Sequence, residues 1–233
     1  MPTKCPIPIW RLTFHGRWVH LSFSERVCRI AVLASGRGSN FRAVLEARAA
    51  GQIQNSECIA LFADRKDTGA ARLAREHSID VVELDFASYS NRAEYDQVLH
   101  TRLQEYAPDL VLALGYMRIL DRELVRSLAG KLINIHPALL PAFPGMHAQR
   151  QAVEYGVRVA GATVHFVDEG VDTGPIILQK AIEINPFDDL VRVEQAILRL
   201  EHRLIVEATD LYCSGRLQID GRRVRILPSL QQS

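Results

Sequence analysis

The sequence predicts a single-domain α/β protein with an open, mostly parallel but mixed sheet and helices on both faces. Three observations carry this. From Arg29 onward, short continuous apolar runs alternate with amphipathic stretches, the pattern of strands buried on both faces and joined by crossover helices. The runs are punctuated by Gly, Pro and polar turn residues. Near the C-terminus two strand-like runs follow one another with no helix between them, so part of the sheet is antiparallel.

Taken in order, "RIAVLAS" (29 to 35) and "CIALFAD" (58 to 64) read as buried strands. Between them "FRAVLEARAAG" reads as a helix that Gly51 stops. A second helix covers "GAARLAREHS", followed by strand "DVVELDF" and a longer helix over "RAEYDQVLHTRLQEYA". "DLVLALGY" (109 to 116) is the next strand, "DRELVRSLAG" the next helix and "KLINIHP" the strand after it. "ATVHFVD" and "PIILQKAIEI" form the antiparallel pair, and a long helix runs from about Leu190 to Cys213. "LQIDGRRVRIL" closes as a hairpin around Asp220-Gly221, a strong turn dipeptide. The domain is expected to span 29 to 227, with a poorly ordered extension over 1 to 28 and a tail over 228 to 233. Within the extension Trp10, Phe14 and Trp18 recur every four residues, which leaves a short docking helix as the alternative.

Composition excludes several classes of function. Twenty-eight Lys plus Arg stand against 27 Asp plus Glu in 233 residues, so no bulk positive field marks a binder of long nucleic acids. Cys5, Cys28, Cys58 and Cys213 are scattered, without metal-ligand spacing. Reduced thiols and no structural metal are therefore expected. No run of about 18 apolar residues occurs, and Pro6, Pro8, Arg11 and Arg17 interrupt any signal peptide. A soluble, cytoplasmic protein without membrane or nucleic-acid partners is the expectation, and a homodimer is left open.

The first strand runs directly into "SGRGSN". Glycines at a strand-to-helix turn allow close backbone approach, and the helix start offers free N–H groups to an anion, so Gly38, Ser39 and Asn40 outline a phosphate site. A plain tight turn capped by Ser39 or Asn40 is the competing explanation. A dinucleotide fold would show GxGxxG here. Gly36 and Gly38 match and Asp64 supplies the acid after the second strand, but Phe41 fills the third glycine position and argues against NAD.

Side chains alternate along a strand, so Asn134 and His136 of "NIHP" share one face. Pro137 ends the ladder and puts His136 at the carboxyl end of its strand, where open α/β sheets bind ligands. The acidic loop of "VHFVDEGVDTGPIILQ" offers Asp168, Glu169 and Asp172 as carboxylate partners. Its single DTG triplet is half of what an aspartic-protease dyad needs. An amide donor, an imidazole and a carboxylate suit stabilisation of a tetrahedral oxyanion and movement of a proton. No GxSxG elbow is present, so the attacking group is expected to belong to a substrate.

Three segments, "ASGRGSNFRAVL", "LGYMRIL…INIHPALLPAFPGMHAQRQAVEYG" and "GATVHFVDEGVDTGPIILQ", closely resemble the phosphoribosylglycinamide formyltransferases, folate-dependent enzymes of purine biosynthesis. Order and spacing hold from Arg29 to Leu227. The resemblance implies a Rossmann-like formyltransferase fold and transfer of a formyl group from 10-formyltetrahydrofolate to glycinamide ribonucleotide. It implies that Asn134 donates to the oxyanion, His136 stabilises it or passes a proton, and Asp172 holds His136 and relays the amine proton. Gly38, Ser39 and Asn40 would bind the substrate phosphate and Glu201 the ribose. Tyr116, Met117, Arg118, Ile119 and Leu120, with Val125, Leu132 and the backbone of Asp168 and Glu169, would line the folate pocket, and Arg92 would meet the folate tail. Formyltetrahydrofolate deformylases usually read NIHHSFLP and carry a preceding regulatory domain. Methionyl-tRNA formyltransferases carry an Arg-Gly pair after LLP and an added C-terminal domain. Deformylase activity remains the runner-up, and a catalytically silent nucleotide-binding protein the alternative from another class.

Overall fold

A computed structural model describes residues 27–185 and 187–228. Cys5 and the Trp10, Phe14, Trp18 repeat lie outside the described residues. Nine strands form one sheet in the order β3-β2-β1-β4-β5-β6-β7-β9-β8. The chain runs β1 (Cys28–Ala34), α1 (Ser39–Ala49), β2 (Ser56–Ala63), α2 (Gly69–Glu76), β3 (Asp80–Glu83), α3 (Arg92–Tyr106), β4 (Leu110–Ala113) and α4 (Arg122–Ser127). It continues through β5 (Leu132–His136), α5 (Ala148–Tyr155), β6 (Val159–Phe166), β7 (Ile176–Glu183), α6 (Leu190–Cys213), β8 (Leu217–Asp220) and β9 (Arg223–Ile226).

The strands β1 to β5 pair in parallel, and β6 is antiparallel to both β5 and β7. The antiparallel pairing of β6 with β7 follows from chain length: the nine-residue stretch 167–175 between them is too short for the crossover helix that a parallel pair requires. The terminal hairpin β8/β9 joins the β7 edge, with β9 parallel to β7. Cys28, which the sequence leaves in the extension, opens β1 and pairs with Ser56.

Both faces of the sheet are buried at its central strands β1, β4 and β5, which explains their apolar runs. Ile30 and Val32 of β1, with Ile133 and Ile135 of β5, pack under α1, α2 and α6. Ala31 and Leu33 pack on the opposite side with Tyr95, Leu99 and Leu103 of α3 and Leu124 and Val125 of α4. Phe41, at the third-glycine position, is fully buried in the first of these cores.

Helix starts follow their caps. Thr68 accepts the Ala71 amide at 3.0 Å, Asn91 the Glu94 amide at 3.0 Å, Asp121 the Leu124 amide at 3.0 Å and Asp189 the Arg192 amide at 2.8 Å. Each such cap contributes about 1 kcal/mol. By contrast α1 starts at Gly38 in the left-handed conformation and has no side-chain cap, so its first-turn amides are left to a ligand or water. Among the described residues no helix is long and apolar enough to cross a membrane.

Candidate active site

Loops at the carboxyl ends of the neighbouring strands β1, β4 and β5 meet above the sheet. The Ser35 amide donates to the Gly115 carbonyl at 3.2 Å, and the Ser35 hydroxyl accepts the Met117 amide at 2.9 Å. This ties the glycine loop to the loop after β4.

At the end of β5, His136 is buried. Its Nε2 lies 2.8 Å from the Phe143 carbonyl and its Nδ1 3.2 Å from Asp172 Oδ2. Both ring nitrogens therefore face oxygen atoms, which fixes the orientation of the ring. The same Asp172 oxygen accepts the Gly145 amide at 2.8 Å. Its other oxygen lies 3.4 Å from Asn134 Nδ2. Burial pushes the Asp172 carboxyl up, but the His165 contact, the Gly145 amide and the two neighbouring imidazoles together outweigh it and leave its pKa below the ordinary carboxylate value.

His165 was not singled out in the sequence, yet β6 pairs it directly with Asn134. Its Nδ1 lies 2.8 Å from the Phe166 carbonyl, which makes that nitrogen the donor. Nε2 lies 3.2 Å from Asn134 Nδ2 and 3.6 Å from Asp172 Oδ1. No local sequence signal marks it, because an isolated histidine in a strand reads as core and the pairing with Asn134 is tertiary.

The acidic loop is folded by Asp168, whose Oδ1 accepts the Gly170 amide at 3.1 Å and the Thr173 hydroxyl at 2.6 Å. Asp172 sits there with φ of 53°, turning its carboxylate toward β5. Gly174 of the DTG triplet serves packing: a Cβ on it would fall 1.8 Å from the Phe166 carbonyl oxygen. Glu169 points away from this cluster and bonds Arg126 of α4 at 2.6 and 3.0 Å, anchoring the loop's outer end.

Tyr116 and Leu120 pack against the core that holds Val125 and Leu132, while Met117 and Ile119 are exposed. The side chain of Arg118 stacks on Phe86, 3.6 Å from the ring centre, and pairs with buried Asp64 at 2.9 Å. The Tyr116 and Tyr95 hydroxyls are in contact, and burial pushes the Tyr95 hydroxyl up to about 12. Arg92 donates to the Ile119 carbonyl and to Asp96, so it braces the 116–120 loop.

At the glycine loop Gly38 has φ of 79°, and an added Cβ would lie 2.8 Å from the Ala70 Cα. The Asn40 amide reaches Glu201 Oε2 at 3.4 Å, and Asn40 Oδ1 is buried without a hydrogen-bond partner among the described residues. Burial raises the Glu201 carboxyl to about 7, only partly offset by the Asn40 bond. A cleft of about 260 Å³ lies beside Ser39, walled by Ala43 and by Leu198 and His202 of α6. Structure thus brings Gly38, Ser39, Asn40 and Glu201 together at one end and Asn134, His136 and Asp172 together at the other. Among the described residues no cluster of His, Cys, Asp and Glu is arranged to hold a metal ion.

Residues 28–209 match the family model described as formyl transferase. The chain belongs to the formyl transferase family. Within that family it is 43% identical over 175 residues to the phosphoribosylglycinamide formyltransferase of Bacillus subtilis strain 168, covering 75% of this chain and 89% of the relative. It superposes on the crystal structure of glycinamide ribonucleotide transformylase 1 from Symbiobacterium toebii with a TM-score of 0.83 at 46% identity, covering 87% of this chain and 95% of the other. A formyltetrahydrofolate deformylase from Pseudomonas syringae superposes with a TM-score of 0.82, covering 91% of this chain and 69% of the other, but at 21% identity, a likeness of fold alone.

Proposed function

We propose that this formyl transferase moves the formyl group of 10-formyltetrahydrofolate to the amino group of glycinamide ribonucleotide. The observation that carries the reading is the His136 imidazole held between the Phe143 carbonyl and the Asp172 carboxylate, with the Asn134 amide beside it.

In this account the substrate amine attacks the formyl carbon, and the carbonyl oxygen becomes an oxyanion. Asn134 exchanges its long 3.4 Å contact with Asp172 for a bond to that oxygen, and the His136 imidazolium supplies the positive charge. The ammonium proton of the new bond passes to Asp172, directly or through water. Collapse breaks the bond to folate N10, which takes a proton from His136 and leaves as tetrahydrofolate. One oxyanion donor contributes about 2.7–4 kcal/mol, and a placed acid or base about 10²- to 10⁴-fold in rate.

Gly38, Ser39 and Asn40 hold the phosphate at the uncapped start of α1, and Glu201 accepts from the ribose hydroxyls. The wall of Tyr116, Met117, Ile119, Leu120, Val125 and Leu132, with the backbone of Asp168 and Glu169, takes the pteridine. Arg118 and Arg92 fix that loop, and Arg92 stands at its outer edge for the folate tail. Such a small-molecule enzyme would work in the cytoplasm.

Incubating the purified protein with 10-formyltetrahydrofolate, with and without glycinamide ribonucleotide, tests the proposal. The expected result is folate release only with the ribonucleotide, whose mass rises by one formyl group. Release without the amine would replace the proposal with hydrolysis.

A further inference from the structure

A cavity of about 500 Å³ lies between Ser35 and Gly36 of the glycine loop and the start of α2, and none of Gly38, Ser39, Asn40, Asn134, His136 and Asp172 lines it. Five cations line it, Arg37, Arg42, Arg65, Lys66 and Arg72, against only Asp67 and Glu76. Such a concentration stands out in a chain whose formal net charge is +1. Arg65 is paired with Asp64 at 3.4 Å. The other four make no ion pair with a carboxylate among the described residues, so their charge is uncompensated within the fold.

The cavity's walls are fixed before any ligand arrives. A Cβ on Gly69 would lie 2.8 Å from the Arg37 carbonyl oxygen, so the two loops are in backbone contact. Thr68 caps α2, and Glu83 accepts the Asp67 amide at 3.0 Å while pairing with Arg75 at 3.0 Å. Position matters as well. In doubly wound sheets the carboxyl end of the second strand meets a ribose through an acidic residue, or a phosphate through an arginine. Here that acid, Asp64, is buried and lies between Arg118 and Arg65, and the next two residues are Arg65 and Lys66. This strand end therefore presents hydrogen-bond donors suited to phosphate oxygens in place of a free acceptor for hydroxyls. Arginine forks match phosphate oxygens in pairs, and about 300–1,000 Å³ is the usual size of a small-ligand site.

We infer that this cavity is a second phosphate site, separate from the glycine-loop phosphate site, and that it takes a phosphorylated small molecule of nucleotide size. The cavity shares Arg37 and Arg42 with the Ser39 cleft, and Lys66 and Arg72 line it alone. The inference does not rest on the transferase reading.

Calorimetric titration of the full chain at low salt with ADP, pyrophosphate and triglutamate, each with and without saturating glycinamide ribonucleotide, tests it. One equivalent of ADP is expected to bind in both conditions. The exposed double variant Lys66→Ala/Arg72→Ala should weaken that binding at least tenfold while leaving kcat and the ribonucleotide KM within twofold. ADP binding tighter than pyrophosphate supports a nucleotide as occupant, and equal binding supports the phosphate group alone. No binding, loss of binding when the ribonucleotide is present, indifference to the double variant, or tighter binding of triglutamate would each overturn the inference.

Discussion

Asp172 divides its two oxygens between the two halves of the site: Oδ2 stands 3.2 Å from His136 Nδ1, and Oδ1 stands 3.4 Å from Asn134 Nδ2. One carboxylate therefore orients both the cation and the neutral donor. Replacing it with an amide keeps the shape but loses the negative charge beside the His136 ring. Asp172→Asn is expected to lower kcat by about 10²- to 10⁴-fold with little change in substrate KM, read by steady-state kinetics. Because the Asp172 pKa is held below the ordinary value, the carboxylate stays ionised near neutrality. The stability it contributes is present above the ordinary Asp range and is lost as pH falls through the lowered value.

Glu201 is buried, and its pKa is raised from 4.5 to about 7. The folded protein therefore binds more protons than the unfolded chain between these values, and stability falls as pH rises through that window. The shift corresponds to a penalty of about 3 kcal/mol that is fully present above pH 7. Glu201→Gln should raise stability toward that amount at pH 8 and leave it nearly unchanged at pH 4, measured by urea unfolding. It should also raise the ribonucleotide KM, since the ribose loses its charged acceptor. Equal stability of both forms at pH 8 would remove the buried charge from the account.

Gly38 combines a positive φ with a backbone approach to Ala70. A side chain there costs about 1–2 kcal/mol for the left-handed conformation, with the clash in addition. Gly38→Ala should lower the unfolding midpoint and raise the ribonucleotide KM more than it lowers kcat. A variant of wild-type stability and KM would show that the loop neither packs nor binds as described.

His165 acts through Asn134 and Asp172 and is a positioning residue. His165→Ala should reduce kcat by roughly tenfold, the scale of one lost hydrogen bond of about 1.4 kcal/mol. The KM for each substrate should be unchanged.

Much of this was legible in the sequence, for identifiable reasons. The strands declared themselves because burial on both faces leaves no polar positions, as over Ile30–Ala34 of β1. Asn134 and His136 could be placed on one face from the strand period alone, and Pro137 gave the strand end. The helix α5 was missed because only Ala148 and Ala152 are buried along it, which leaves almost no apolar stripe to read. The pairing of Asp64 with Arg118 and of Arg92 with the Ile119 carbonyl joins residues far apart in the chain, and no local pattern encodes it. His165 needed the β5/β6 register, which is fixed by tertiary pairing. The carbonyl of Phe143 that holds His136 leaves no trace in residue type at all.

Steady-state kinetics of His136→Ala, with its fold checked by circular dichroism, tests the central claim most directly. A kcat lower by about 10²- to 10⁴-fold is expected, with the KM for folate and ribonucleotide within threefold. A normal kcat with a raised KM would contradict it, making His136 a binding residue and leaving the oxyanion without its cation.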